Sequence, residues 1–178
     1  MAGIKLLEKR PGNLDFIVNE LLKPGVKDMM FDDAIGMAEI SCFLFDPFTM
    51  VYGIFAKGHP IPIGTIILEG VRPFRGCSIH AAIFKPENRN LKTMQAVALS
   101  IKQDLILKWN LHYAEARALS KNTAAGHLLE KLGMKKVSTK PGNVVTNGEY
   151  EDVDEYYVVL DGDKLFNLPT EKVVTLGR

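Results

Sequence analysis

The stretch that decides the fold is Gly76–Met134, GCSIHAAIFKPENRNLKTMQAVALSIKQDLILKWNLHYAEARALSKNTAAGHLLEKLGM. Gly76–Phe84 is apolar and strand-like, and it ends on the turn signals Pro86-Glu87-Asn88. In Leu91–Trp109 the residues Leu91, Met94, Val97, Ala98, Ile101, Leu105 and Lys108 form one stripe, while Lys92, Gln95, Lys102, Gln103 and Asp104 face away, which is helical spacing. In Tyr113–Leu119 the small residues Ala114, Ala116 and Ala118 alternate with Glu115 and Arg117, a strand period with room for close approach on one face. Asn122–Leu132 is a second helix, with Asn122 as N-cap, Ala125, Leu128, Leu129 and Leu132 on one face, and Gly133 as C-cap. A long helix between two strands fits a crossover connection, which pairs those strands in parallel.

Upstream, Thr49–Ala56 and Pro62–Leu68 read as a hairpin across Lys57-Gly58-His59-Pro60, and the turn at Gly70 and Pro73 leads into the Gly76 strand. Three antiparallel strands therefore precede the central unit. Ile4–Leu7 is a further strand candidate. Pro11-Gly12-Asn13 reads as a turn, Leu14–Leu22 as a helix stopped by Pro24-Gly25, and Phe31–Phe43 as a weaker helix capped by Asp32 or Asp33. Downstream, Met134–Ser138 and Tyr156–Leu160 are strands, and Lys140–Asp152 between them reads as an exposed polar loop, making a long-looped hairpin. Residues 1–163 are expected to form one domain. Residues 164–178 are expected to be an extension that adds an edge strand at Val173–Leu176. The expected class is α/β (α+β): a mixed, mostly antiparallel sheet of six or seven strands, with a parallel pair at its centre and helices on both faces.

The composition narrows the function classes. The chain has 178 residues, 47% of them hydrophobic, and 22 Lys plus Arg balance 21 Asp plus Glu. Balanced charge gives no general nucleic-acid or membrane signal. Cys42 and Cys77 lie in apolar runs and read as buried free thiols, and no spaced Cys/His cluster suggests a metal. No apolar run has the length of a membrane span, and Lys5, Glu8, Lys9 and Arg10 interrupt the N-terminus as a signal sequence, so a cytoplasmic protein is the expectation.

In a sheet of this kind a ligand binds beyond the carboxyl ends of the central parallel strands, near the helix N-termini. Unpaired amides at Asn90–Met94 suit a phosphate, with Arg89, Lys92, Arg72 and Arg75 as nearby positive charge. His80 is a polar residue within an apolar strand and is the first candidate for a general base. Glu69 and Glu115 are the second and third candidates, and Tyr113 is an alternative acid.

The stretch Gly76–Met134, with the final strand Tyr156–Leu160, resembles the Gcn5-related N-acetyltransferase family. The resemblance rests on Pro86 and Arg89 after the fourth strand, and on Asn122 followed by a helix that ends Lys131-Leu132-Gly133-Met134. Three loop positions that are glycine in the family are Asn90, Lys92 and Met94 here, and the family's tyrosine in the last helix is Leu129. The resemblance implies an enzyme that binds acetyl-coenzyme A and acetylates a small-molecule or peptide amine. The pyrophosphate would lie on the amides of Arg89, Asn90, Leu91, Lys92, Thr93 and Met94. The acetyl-bearing arm would lie along the strand edge ending at Ile83 and Phe84, with Asn122 and Ala125 at the second helix. The acceptor wall is expected from Leu14–Phe45 and Lys140–Asp152. The acids Glu151, Asp152, Asp154 and Glu155 would be available to a cationic acceptor, and a homodimer is the expected assembly. The eroded glycine loop equally resembles noncatalytic, phage-type members of the same fold that serve in assembly or binding.

Overall fold

The computed structural model describes residues 3–89 and 91–160. The expected strand at Val173–Leu176 and Asn90 lie outside the described residues, as do the side chains of Leu91 and Lys92.

Seven strands form one sheet. They are β1 (Gly3–Leu6), β2 (Met50–Phe55), β3 (Gly64–Glu69), β4 (Gly76–Ile83), β5 (Tyr113–Leu119), β6 (Lys135–Thr146) and β7 (Glu149–Val159), in the order β1-β2-β3-β4-β5-β7-β6. The helices are α1 (Pro11–Leu21), α2 (Lys27–Met30), α3 (Met37–Phe45), α4 (Leu91–Gln103) and α5 (Thr123–Lys131). A π-helical turn, Asp104–Lys108, continues α4. This is the mixed sheet that the resemblance implies. Only β4 and β5 run parallel, and α4 is the crossover between them. Their pairing starts at Gly76↔Tyr113, ends at Ile79↔Ala116, and the two strands part beyond that point.

Strand alternation sorts the side chains onto two faces. On one face Tyr52, Ile54, Ile66, Leu68, Ala114, Ala116, Tyr156 and Val158 pack with Val97, Ile101 and Leu105 of the crossover helix and with Ala125, Leu129 and Leu132 around α5. On the other, Val51, Ile67, Ala82 and Phe84 pack with Leu14, Ile17, Val18 and Leu21 of α1 and with Ile40 and Leu44 of α3. The first is called here the back face and the second the front face. Helices α1 and α3 cover the front over β2–β4 and α2 touches β5, while Glu115, Arg117, Tyr157 and Val159 on the front of β5 and β7 stay exposed.

Four sequence expectations are corrected. Pro11-Gly12-Asn13 is the first turn of α1 rather than a separate turn, because proline at the first helical position has the right φ and no amide to satisfy. Of the expected Phe31–Phe43 helix only the part from Met37 is helical, as α3, and α2 ends before it at Met30. Asp32 and Asp33 cap neither of them, but accept hydrogen bonds from Val145 N (2.9 Å), Asn147 N (3.1 Å) and Gly148 N (2.8 Å) and so tie the segment to the β6–β7 hairpin. At α3 the N-cap residue is Gly36, and Glu39 in the first turn reaches back so that its carboxylate accepts from Gly36 N at 3.0 Å. Lys140–Asp152 is no loop: β6 and β7 run almost to a two-residue turn, Asn147-Gly148, with φ of 54° and 78°. Asn-Gly is the residue pair that such a tight hairpin requires. Pro141 and Gly142 are absorbed by a register shift between Lys140 and Val144, where Gly142 N donates to Asp152. Finally, Cys42 is exposed on α3, while Cys77 is buried and its thiol is pushed up to about 12 by burial, which removes it as a nucleophile.

Candidate functional site

The point where β4 and β5 part is a window through the sheet, and the chain presents something different on each side of it. On the back face, Ala81 is exposed although β4 is the fourth of seven strands. Its register partner on β3, Ile66, is fully buried, so the exposure is local. Helix α4 packs toward β1, and α5 packs on β5 and β6, so exposed Ala81 lies between the strands that the two helices cover. Beyond Ile79, β4 has no strand partner on its β5 side. The side chains of Ile83 and Phe84 are buried, and Phe84 meets Phe16 edge-on at 6.0 Å. Only the main chain of that end of β4 is therefore available to a ligand. An extended arm bearing amides would fit such an edge as an added strand does.

At the helix starts, the side chain of Arg89 is committed to local structure. Its Nε donates to Ile83 O at 3.0 Å and its guanidinium reaches Gly25 O at 3.5 Å. Met94 is partly buried against the back core. The start of α4 also presents main-chain amides at this end of the strands, as a helix start does. Asn122 caps α5, with its side-chain oxygen accepting from Ala125 N at 3.2 Å, and Ala125 packs on the core. Residues 91–94 and Asn122 thus stand at the carboxyl ends of β4 and β5, where a phosphate-bearing ligand is expected. Arg72 and Arg75 do not join them. They sit in the turn that enters β4, at its opposite end, because the β3–β4 connection lies where the sheet is still closed.

On the front face a cleft of about 370 Å³ runs from the window to that turn, lined by Glu69, Arg72, Arg75, Ser78, His80, Tyr113, Glu115 and Arg117 among others. Three of the four acid–base candidates, Glu69, His80 and Glu115, lie along it, and Tyr113 closes its far end. His80 Nε2 and Glu69 Oε2 are 3.0 Å apart, and the ring of Phe43 meets the imidazole edge-on at 5.6 Å. The hydrogen bond from His80 holds the Glu69 carboxyl below its ordinary range, against a smaller opposing effect of burial. Glu115 accepts from Ser78 Oγ at 2.7 Å. Tyr113 stacks on Tyr157 with ring centroids 5.4 Å apart. Gly76 permits that packing, since a Cβ there would come within 2.5 Å of the Tyr113 ring.

Nothing in the local pattern singles out Arg117, Ser78 or Phe43. The alternation of Arg117 with the alanines of β5 put it on the front face, but only the β5–β7 pairing shows its guanidinium 3.3 Å from Glu155. The acids of the last hairpin are already engaged. Lys121 pairs with Glu151, Lys136 with Asp154 at 2.8 Å, and Lys140 with Glu155 at 2.7 Å. Asp152 accepts from Gly142 N, and Asp154 also accepts from Ser120 and Thr139. Among the described residues no group of three His, Cys, Asp or Glu side chains is placed to hold a metal, and no helix is long and apolar enough to cross a membrane.

No family model matches the chain, and no curated protein matches it in sequence. Solved structures do match it in shape. A spermidine N-acetyltransferase from Vibrio cholerae in complex with CoA and spermine superposes with a TM-score of 0.75 at 19% identity, over 89% of this chain and 95% of that one. A dodecameric structure of spermidine N-acetyltransferase from the same organism, in an intermediate state, gives 0.71 at 19% identity over 89% and 94%. A spermidine/spermine N-acetyltransferase SpeG from Vibrio cholerae with manganese ions gives 0.68 at 19% identity over 89% and 92%. At these identities the likeness establishes the fold.

Proposed function

We propose that this chain transfers an acetyl group from acetyl-coenzyme A to a primary amine, with the two ligands approaching the β4–β5 window from opposite faces of the sheet. The observation that carries this is the exposure of Ala81 on the back of the window, opposite the Glu69–His80 pair on its front. The fit of the cofactor rests on the main chain: the edge of β4 beyond Ile79 binds the extended arm, and the amides that open α4 bind its pyrophosphate. The Nδ2 group of Asn122 is left to donate to the same ligand, since Oδ1 is taken by the cap. Main-chain recognition explains how a loop with Lys92 and Met94 in place of glycines serves this purpose. When bound, acetyl-coenzyme A supplies an activated acetyl thioester.

The work of the chain is on the amine. Glu69 accepts the Nε2–H of His80, which leaves the imidazole lone pair on Nδ1. Nδ1 then takes the proton of the incoming amine, and the ionised Glu69 steadies the imidazolium that forms. Phe43 limits rotation of the ring. Glu115, further down the cleft and charged, draws the ammonium form of the acceptor toward His80. A cytoplasmic setting and a homodimer agree with this role, and the outer edge of β6 is free to pair with a second copy among the described residues.

Calorimetric titration with acetyl-coenzyme A tests the proposal. Binding tighter than about millimolar is expected. Silence at millimolar ligand would remove the enzyme and leave the noncatalytic use of the fold in its place.

A further inference from the structure

In the front cleft Glu69 and Glu115 lie level with Ser78, between His80 and the turn that carries Arg72 and Arg75. We infer that the acceptor is an amine that also bears an anionic group, a carboxylate or a phosphate, and that Arg72 and Arg75 hold that group. The placement of the amine at His80 rests on the proposed acetyl transfer, whereas the anion site does not.

Arg72 and Arg75 both line the cleft, both are exposed, and among the described residues neither forms an ion pair. Their spacing is built in. Arg75 N donates to Arg72 O at 3.0 Å, Arg72 N donates to Gly76 O at 3.3 Å, and the carbonyl of Arg75 accepts from His112 N and Tyr113 N. The turn is thereby fixed to the starts of both β4 and β5. Two guanidinium groups on one anchored turn, facing a concave surface, suit a carboxylate or phosphate, which each of them can grip with two parallel hydrogen bonds. The same pair repels a second ammonium.

The acids point the same way. A polyamine needs carboxylates free to pair with each of its charges. Here Glu69 is held by His80, Glu155 by Lys140 and Arg117, Glu151 by Lys121 and Asp154 by Lys136. Within the cleft the acids are Glu69, hydrogen-bonded to His80, and Glu115, which meets no cation among the described residues, so few carboxylates are left for the several charges of a polyamine.

Length follows from the register. His80 and Gly76 are four residues apart on β4, about 13 Å at the rise of an extended strand. An acceptor that reaches both ends must hold its amine and its anion several bonds apart, as ω-amino carboxylates and aminoalkyl phosphates do.

The experiment compares three ligands of equal chain length: aminohexanoate, aminohexyl phosphate and hexanediamine. Each is titrated calorimetrically into the full chain without cofactor, and then tried as acetyl acceptor. At least one anionic amine is expected to bind about tenfold tighter than the diamine, and the tighter of the two names the anion. Replacing both arginines, Arg72→Gln with Arg75→Gln, should abolish that preference. The paired Arg→Lys variant should keep its direction, which separates charge from a fault in folding. The inference is overturned if the diamine binds as well as the anionic amines, if none of the three binds at millimolar concentration, or if the double glutamine variant keeps the preference. Preferential binding with no acetylation of any ligand would instead overturn the transferase assignment and leave the anion site standing.

Discussion

The two ends of β4 use the same strand in different ways. At its carboxyl end, Ile83 and Phe84 bury their side chains and Arg89 is spent on the carbonyls of Ile83 and Gly25, so only main-chain groups remain for a ligand. At its amino end and middle, Ser78 and His80 keep their side chains in a cleft with Glu69, Glu115, Arg72 and Arg75. Recognition through the main chain depends on strand geometry and helix starts and tolerates wide change in residue type. Recognition through side chains does not. The comparison teaches where each half of the proposed reaction is exposed to sequence drift: the cofactor half can lose its signature residues and still function, and the acceptor half defines the substrate.

The comparison breaks most readily at His80. His80→Ala is expected to lower kcat by about 10²-fold or more, the usual worth of a positioned base, while acetyl-coenzyme A affinity by calorimetry stays near that of the native chain. A loss below about tenfold would show that the front of the window holds no base. The converse break is Ala81→Phe, which covers the back of the window without entering either core. It should weaken acetyl-coenzyme A by about tenfold or more with the melting temperature within a few degrees of native. Native affinity in that variant would mean that the cofactor does not cross Ala81. The smallest effect is expected from Glu69→Gln, which keeps the contact with His80 but removes the charge. Because the folded state depresses this carboxyl below its ordinary 4.5, its contribution to stability is present above that value and is lost as pH falls through the lower, folded value. The gap in urea midpoint between native and variant chains should therefore narrow as pH falls below 4.5. A gap that widens there would contradict the pairing.

Much of the fold was legible in local pattern. The stripe of Leu91–Leu105 and the alternation in β5 forced a crossover and hence a parallel pair. The errors fell where a local signal was present but given too little weight. Asn147-Gly148 is a tight-turn pair, yet the polar residues around it read as loop, because a hairpin open to solvent on one face and bulged at Pro141-Gly142 lacks a hydrophobic period. Asp32 and Asp33 look like helix caps from either side; that they cap a distant hairpin depends on partners more than a hundred positions away.

The site divides in the same manner. That His80 is a polar residue in an apolar strand, that Asn122 caps a helix, and that α4 begins just beyond the carboxyl end of β4 all follow from neighbours within a few residues, and local sequence determined them. Three features came only from tertiary structure: Glu69 meeting His80, the exposure of Ala81 in the middle of a sheet, and the placement of Arg72 and Arg75 at the end of β4 away from the helix starts. Each depends on strand register or on which strands the helices cover, and register is a relation between segments that no single segment encodes.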